Sequence, residues 1–310
     1  MTNRPTLPPP LRRGDCLGLF SPASPVRQPR VQEQATRILK EMGFTVKLAE
    51  QRPGPCEYLA GDDQWRADNL MRLWMDTAVK GLVAIRGGYG CQRMVDLLDL
   101  DALRSTPKRM IGFSDVSVLL NVLADRGLVT LHGPVLTSLP TITDNSRQRF
   151  LTALTAEPQD LQLRQCLEVL RPGTARGRLL GGNLTTLVHL IGTRHEPRWD
   201  GALLLLEDTG EALYRLDRLL TQLQMTGILA RLAGVLLGTF DLGPDDTVGN
   251  LRLQEGVWQR VLELTDHCPV WGNFPSGHLT ENWCLPLGME ATMDSRAGQL
   301  LFHPQSVDNQ

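Results

Sequence analysis

Short apolar runs alternate with amphipathic stretches from Cys16 to His132. Cys16–Phe20 reads as a buried strand, ended by the turn segment Ser21-Pro22-Ala23-Ser24-Pro25. Val31–Met42 has helical spacing, with Gly43 as its stop before a short strand at Phe44–Leu48. Asp62–Val79 reads as a second helix, with Leu70, Leu73, Trp74 and Val79 towards one side. Gly81–Ile85 is then a strand, Cys91–Leu98 a helix, Arg109–Ile111 a strand and Val116–Asp125 a helix. This rhythm predicts a parallel sheet covered by helices on both faces.

The stretch Thr137–Gly177 is polar, punctuated by proline and weaker in period, and reads as a connection with a helix at Ser146–Leu154. A second α/β segment follows. Gly181-Gly182-Asn183 opens a helix through Leu190, and Ala202–Leu206 is a short apolar strand. Leu213–Leu223 reads as a helix, Leu232–Leu237 as a strand and Leu251–Leu264 as a helix. From Val270 to His303 short strand-like pieces are separated by Gly and Pro. The expected division is a first domain over 1–140, a connection over 141–176 and a second domain over 177–310.

Composition narrows the partners. The 310 residues carry 32 Lys plus Arg against 34 Asp plus Glu, a net charge of −2. Nucleic acids and anionic membranes attract basic surfaces, so neither is expected here. The only lysines are Lys40, Lys47, Lys80 and Lys108, and none precedes Ser or Thr, which excludes a Walker A phosphate loop. Cys16, Cys56, Cys91, Cys166, Cys268 and Cys284 are scattered, with no C-x-x-C pair, and read as reduced, mostly buried thiols. The Pro- and Arg-rich start, Met1–Asp15, has no apolar core of a secretory signal, and no run is long enough to span a membrane. A cytoplasmic location is the expectation.

The sharpest local feature is Gly112-Phe113-Ser114-Asp115, placed between a strand and a helix. A small residue two positions before a Ser at such a turn is half of a nucleophile elbow, whose second Gly is replaced by Val116. The alternative is that Ser114 or Asp115 merely caps the helix. Arg86-Gly87-Gly88-Tyr89-Gly90 forms another glycine-rich turn after a strand. It fails G-x-G-x-x-G, because Arg93 holds the place of the third Gly. Its backbone could still approach an oxyanion, or it is simply a tight connection.

A nucleophilic Ser needs a base and an orienting acid. Of His132, His189, His195, His267, His278 and His303, His189 falls in an apolar helix and reads as packed. His195-Glu196 runs into Pro197, so no H-E-x-x-H zinc helix begins there. His278 lies in the loop Asn273–Thr280 beside Gly and Pro, where catalytic side chains are common. Glu207 ends the apolar run Leu203–Leu206, at the strand edge where α/β sheets bind ligands. It is either an orienter or a solvated residue leading into a turn, and Glu211 reads as part of the next helix.

In order and spacing, Ser21-Pro22-Ala23, Arg86–Gly90, Gly112–Asp115, Gly181-Gly182-Asn183-Leu184, Leu206-Glu207-Asp208 and Gly277-His278 span nearly the whole chain. On these motifs the sequence resembles the LD-carboxypeptidase family of serine peptidases, which includes muramoyl-tetrapeptide carboxypeptidases and microcin C self-immunity peptidases. The resemblance implies an α/β fold: an N-terminal parallel-sheet domain of flavodoxin or amidotransferase kind and a swivelling C-terminal α/β domain. It implies a Ser114–Glu207–His278 triad between the domains, with backbone N–H groups of Asp115 and of Gly87 or Gly88 as the oxyanion hole. The implied reaction releases a terminal D-Ala from murein tetrapeptides, without metal or cofactor. Other readings are a peptidyl-nucleotide amidase of the microcin type and a non-catalytic small-molecule binder. Arg86 is the nearest candidate to clamp a substrate carboxylate, with a structural ion pair as its other role. Family members are often homodimers.

Overall fold

Continuous apolar runs become the central strands of two sheets. In the computed structural model, residues 5–50, 57–157, 163–164, 168–243 and 245–303 are described, and Cys56 and Cys166 lie outside them. The first half is built from β1 (Cys16–Phe20), α1 (Pro29–Glu41), β2 (Thr45–Leu48), α2 (Asp63–Met75), β3 (Val79–Ala84), α3 (Cys91–Met94), α4 (Leu100–Ser105), β4 (Arg109–Gly112), α5 (Ser117–Asp125) and β5 (Thr130–His132). Then come α6 (Asp144–Thr155), β6 (Leu163–Arg164), β7 (Glu168–Arg171), β8 (Thr174–Asn183), α7 (Leu184–Val188), β9 (Leu203–Thr209), α8 (Leu213–Met225), β10 (Gly234–Asp241) and α9 (Thr247–Leu264). The last strands are β11 (Val270–Gly272), β12 (Leu285–Leu287), β13 (Glu290–Asp294) and β14 (Gln299–His303).

The first sheet has the order β12-β5-β4-β3-β1-β2, and β1 to β5 run parallel. The second has eight strands in the order β6-β14-β13-β8-β9-β10-β11-β7. Its centre, β8 to β11, is parallel, and antiparallel strands flank it on both sides. Strands buried on both faces read as unbroken apolar runs, and Leu203–Leu206 is the plainest example. Leu82, Val83 and Ile111 from the first sheet share one buried apolar cluster with Leu203–Leu206 and Val235–Leu237 from the second.

Several boundaries differ from the sequence expectation for identifiable reasons. Val79 fits the helical spacing of the preceding residues, yet α2 ends at Met75 and Val79 opens β3. Asp76 breaks the helix by turning extended, and its carboxylate meets Lys47. Gly181, Gly182 and Asn183 close β8, and Asn183 then caps α7 by accepting from Thr186 N at 3.1 Å, but the helix stops at Val188 instead of reaching Leu190. Cys91–Leu98 is one turn of α-helix followed by a tighter turn at Val95–Leu97.

Two features join the sheets where the site lies. Asn121 on α5 bonds both backbone groups of Gly181, accepting from its N–H at 2.9 Å and donating to its carbonyl at 2.8 Å. After β11 the chain leaves the second sheet, and after residues 273–284 it adds β12 to the edge of the first, pairing Leu285 with His132. The loop holding His278 is therefore the crossing between the two sheets. The expected second domain thus contributes one strand to the first sheet, while α6 and β7 fall within the expected connection.

Candidate active site

Ser114 stands at the end of β4 with φ +63°, one of the few non-glycine residues in the left-handed region. A short turn over Ser114–Val116 then leads directly into α5. This is the strand–turn–helix geometry of an elbow, and Ser114 adopts a backbone φ that normally favours glycine. The sequence puzzle of Val116 resolves in space. A methyl group placed on Gly112 would lie 2.7 Å from Val116 Cγ1, so Gly112 makes room for the branched side chain.

The glycine-rich turn after β3 faces this elbow. A methyl group on Gly87 would sit 2.8 Å from Ser114 Cβ, 3.0 Å from its Oγ and 3.5 Å from the backbone N of Asp115. Only a bare backbone can pass so close to the serine. The turn is held from behind by the Ser21–Pro25 segment: Ser24 N donates to Gly87 O at 3.3 Å, and Tyr89 N donates to Ser24 Oγ at 3.3 Å. Buried Arg66 donates to the carbonyls of Pro22, Gly61 and Gly90 and so ties the same pieces together. The Asp115 carboxylate turns inward to accept from Cys91 N at 2.8 Å, and burial pushes its pKa up.

Glu207 ends the apolar part of β9 and is fully buried. His278 Nδ1 lies 2.8 Å from its Oε2, so Nδ1–H donates to the carboxylate and Nε2 is left as a proton acceptor. Burial disfavours the imidazolium, but the charge and hydrogen bond of Glu207, with Asp241 and Asp208 beyond, outweigh it and raise the His278 pKa. The Phe113 ring packs at 4.8 Å from the imidazole. Ser114, Gly87, Phe113 and His278 line one cleft of about 840 Å³. Such an arrangement can activate a hydroxyl, hold a protonated imidazole and offer backbone donors to a developing oxyanion.

Comparison with known proteins decides what carries this arrangement. Residues 17–133 match the LD-carboxypeptidase N-terminal domain, and residues 176–293 match the LD-carboxypeptidase C-terminal domain. The chain is 32% identical over 291 residues to the murein tetrapeptide carboxypeptidase of Pseudomonas aeruginosa, covering 90% of this chain and 92% of that one. The chain belongs to the LD-carboxypeptidase family. Among solved structures, muramoyltetrapeptide carboxypeptidase from Oxalobacter formigenes superposes with a TM-score of 0.79 at 27% identity, covering 93% of this chain and 97% of that one. The microcin C7 self-immunity protein MccF shares the fold, with a TM-score of 0.87 at 24% identity over 97% of this chain and 99% of its own.

In this member of the LD-carboxypeptidase family, Arg86 lines the cleft half-buried and donates to the Pro25 carbonyl at 3.0 Å. It makes no ion pair among the described residues, and burial together with Arg27 lowers its pKa. Glu211 also lines the cleft, ahead of α8 rather than in it, and pairs with Arg215 at 3.3 Å. His189 is not packed in an apolar helix. Helix α7 stops at Val188, which leaves His189 exposed on the cleft wall with Nδ1 donating to Thr185 O. Asp208 was not singled out from sequence, yet it accepts from Asn183, Thr185 and Thr209 and organises the start of α7. Cys91, Cys268 and Cys284 are buried free thiols and Cys16 is half-buried. Among the described residues, no three His, Cys, Asp or Glu side chains converge as a metal site would require.

Proposed function

We propose that this chain is a serine carboxypeptidase that hydrolyses an L,D-peptide bond and releases the terminal D-Ala of murein tetrapeptides in the cytoplasm. The observation that carries this reading is the Glu207–His278 hydrogen bond on the wall of the cleft that also exposes Ser114. The identity to a murein tetrapeptide carboxypeptidase supports the substrate class.

In this reading His278 Nε2 takes the Ser114 proton as the hydroxyl attacks the substrate carbonyl. Glu207 keeps the imidazole in the right tautomer and stabilises its charged form. The Asp115 N–H and an N–H of the Gly87-Gly88 turn receive the oxyanion, each donor contributing about 10²–10³ in rate. The imidazolium then protonates the leaving D-Ala amine, and water attacks the acyl-enzyme with His278 again as base. Arg86 meets a carboxylate of the substrate.

The test is to supply a free murein tetrapeptide and measure D-Ala by chromatography, with an aminoacyl sulfamoyl nucleoside as the competing substrate. D-Ala release, with the nucleoside amide left intact, is the expected result. Cleavage of the nucleoside amide alone moves the chain to the microcin-type branch. Binding without cleavage of either one makes it a small-molecule binder. Light scattering reads the homodimer that the resemblance implies.

A further inference from the structure

Beside the Glu207–His278 pair, two buried polar atoms lack partners among the described residues. Glu207 is fully buried, and its Oε1 makes no hydrogen bond among the described residues. His132, the last residue of β5, is equally buried, and its Nε2 has no partner among them either. An unpaired buried polar group costs roughly 1–3 kcal/mol. The same loop, Ser276-Gly277, borders both residues, so the two unpaired atoms ask for a joint explanation.

The loop that carries His278 touches both residues. Ser276 Oγ lies 3.3 Å from His132 Nδ1, and a methyl group on Gly277 would lie 3.2 Å from Glu207 Oε2. Phe113 packs between the two histidines, its ring centre 6.2 Å from that of His132 and 4.8 Å from that of His278. The buried Ser276 hydroxyl and His132 Nδ1 share this hydrogen bond, and the His132 tautomer sets which of them donates. With the hydroxyl as donor, the His132 proton is on Nε2 and the unpaired atom there is a donor, whereas the unpaired oxygen of Glu207 is an acceptor. The charges fit as well. Burial pushes the His132 pKa down to about 4 and keeps it neutral, and the negative charge of Glu207 opposes that push. A neutral ring can donate to the carboxylate without competing with the His278 imidazolium.

We propose that His132 is a positioning residue for Glu207, its Nε2–H serving the free carboxylate oxygen through one trapped water. The inference rests on the reading of Glu207 as the acid that orients His278. A water with a donor on one side and an acceptor on the other satisfies both orphans. Glu207 is then held at both oxygens. Its negative charge is shared, so the imidazole is less strongly biased towards the protonated form. Facing this group are His278 and Asp208 from the cleft side, with Asp241 from β10.

The test uses the full chain and two substitutions. His132→Asn keeps an acceptor near the Nδ1 position and removes the Nε2 donor, while His132→Gln carries an amide donor to the Nε2 position. The titration of His278, followed by ¹⁵N NMR, needs no turnover and so remains readable even if the proposed reaction fails. In His132→Asn the His278 pKa is expected to rise by about half a unit, the equivalent of one modest hydrogen bond. His132→Gln is expected to bring it back. A His278 titration unchanged in His132→Asn overturns the proposal. A general structural role would lower Tm in both variants without moving His278. In the unaltered protein the same spectra report the His132 tautomer: a proton on Nε2 is expected, and a proton on Nδ1 overturns the proposal even if neither variant folds.

Discussion

The two halves of the candidate site are built in opposite ways. The serine elbow is made within eight consecutive residues, Arg109–Val116, by a strand end, a left-handed Ser114 and a Gly112 that yields to Val116. The Glu207–His278 pair joins residues 71 apart. One is on β9 of the second sheet, and the other lies on the loop that crosses to the first. A short-range device of the first kind can be damaged without disturbing the fold. The second kind exists only when both sheets have assembled, so its geometry reports on how they pack.

This contrast is open to attack at several points, beginning with the largest effect. Ser114→Ala removes the proposed nucleophile and is expected to lower kcat by about 10⁴-fold or more, with Tm within a degree or two, because the elbow is local. A large fall in Tm would mean that the elbow is not independent of the sheets. Glu207→Gln keeps the shape but loses the charge, and a loss of roughly 10³–10⁴-fold is expected. NMR of that variant should find the His278 pKa lowered, since its main charged partner is gone; an unmoved value would break the pairing.

His132 gives the distal half a signature in stability. Its folded pKa, about 4, lies below the ordinary 6.5, so the unfolded chain binds the proton more readily. Its contribution is complete above pH 6.5 and is lost as pH falls towards 4, by about 3 kcal/mol in all. His278 has the opposite sign: its raised pKa contributes stability at low pH that is lost as pH rises through the folded value. Urea titrations at pH 7 and pH 4.5 read the balance, and His132→Asn should flatten the loss on the acid side. An identical loss in that variant would assign the acid instability elsewhere.

Smaller effects sharpen the proximal half. Gly87→Ala places a methyl group against Ser114 Cβ and Oγ and is expected to lower kcat by about 10–100-fold while KM holds, with a small fall in Tm as the elbow shifts. Arg86→Met is expected to raise KM by about tenfold with little change in kcat. If KM is unaffected, the contact of Arg86 with Pro25 is its whole role.

The elbow and the glycine turn were legible as local patterns, because strand, turn and helix follow one another in the chain. Glu207 and His278 were placed together only by resemblance, since spacing alone left each with an ordinary alternative. His132 carried no signal at all. Its interest arises from β12 crossing back to β5, and no local pattern around Leu285–Leu287 announces that move. His189 was misplaced because Asn183 closes β8 and α7 is only five residues long, too short to bury the residue after it. The α/β rhythm of the first sheet was clear, whereas Val79 followed helical spacing into a strand. There the deciding influence was Asp76, which stops the helix and pairs with Lys47 across the sheet edge.

Ser114 and His278, from the two differently built halves, are proposed to act on one bond. This joint action is tested most directly by measuring D-Ala released from a murein tetrapeptide by the unaltered protein, Ser114→Ala, His278→Ala and the double variant. Release by the unaltered protein is expected, with a similar, near-complete loss in all three variants, because the two side chains would act as a unit. Release that persists in either single variant at the unaltered rate would contradict it.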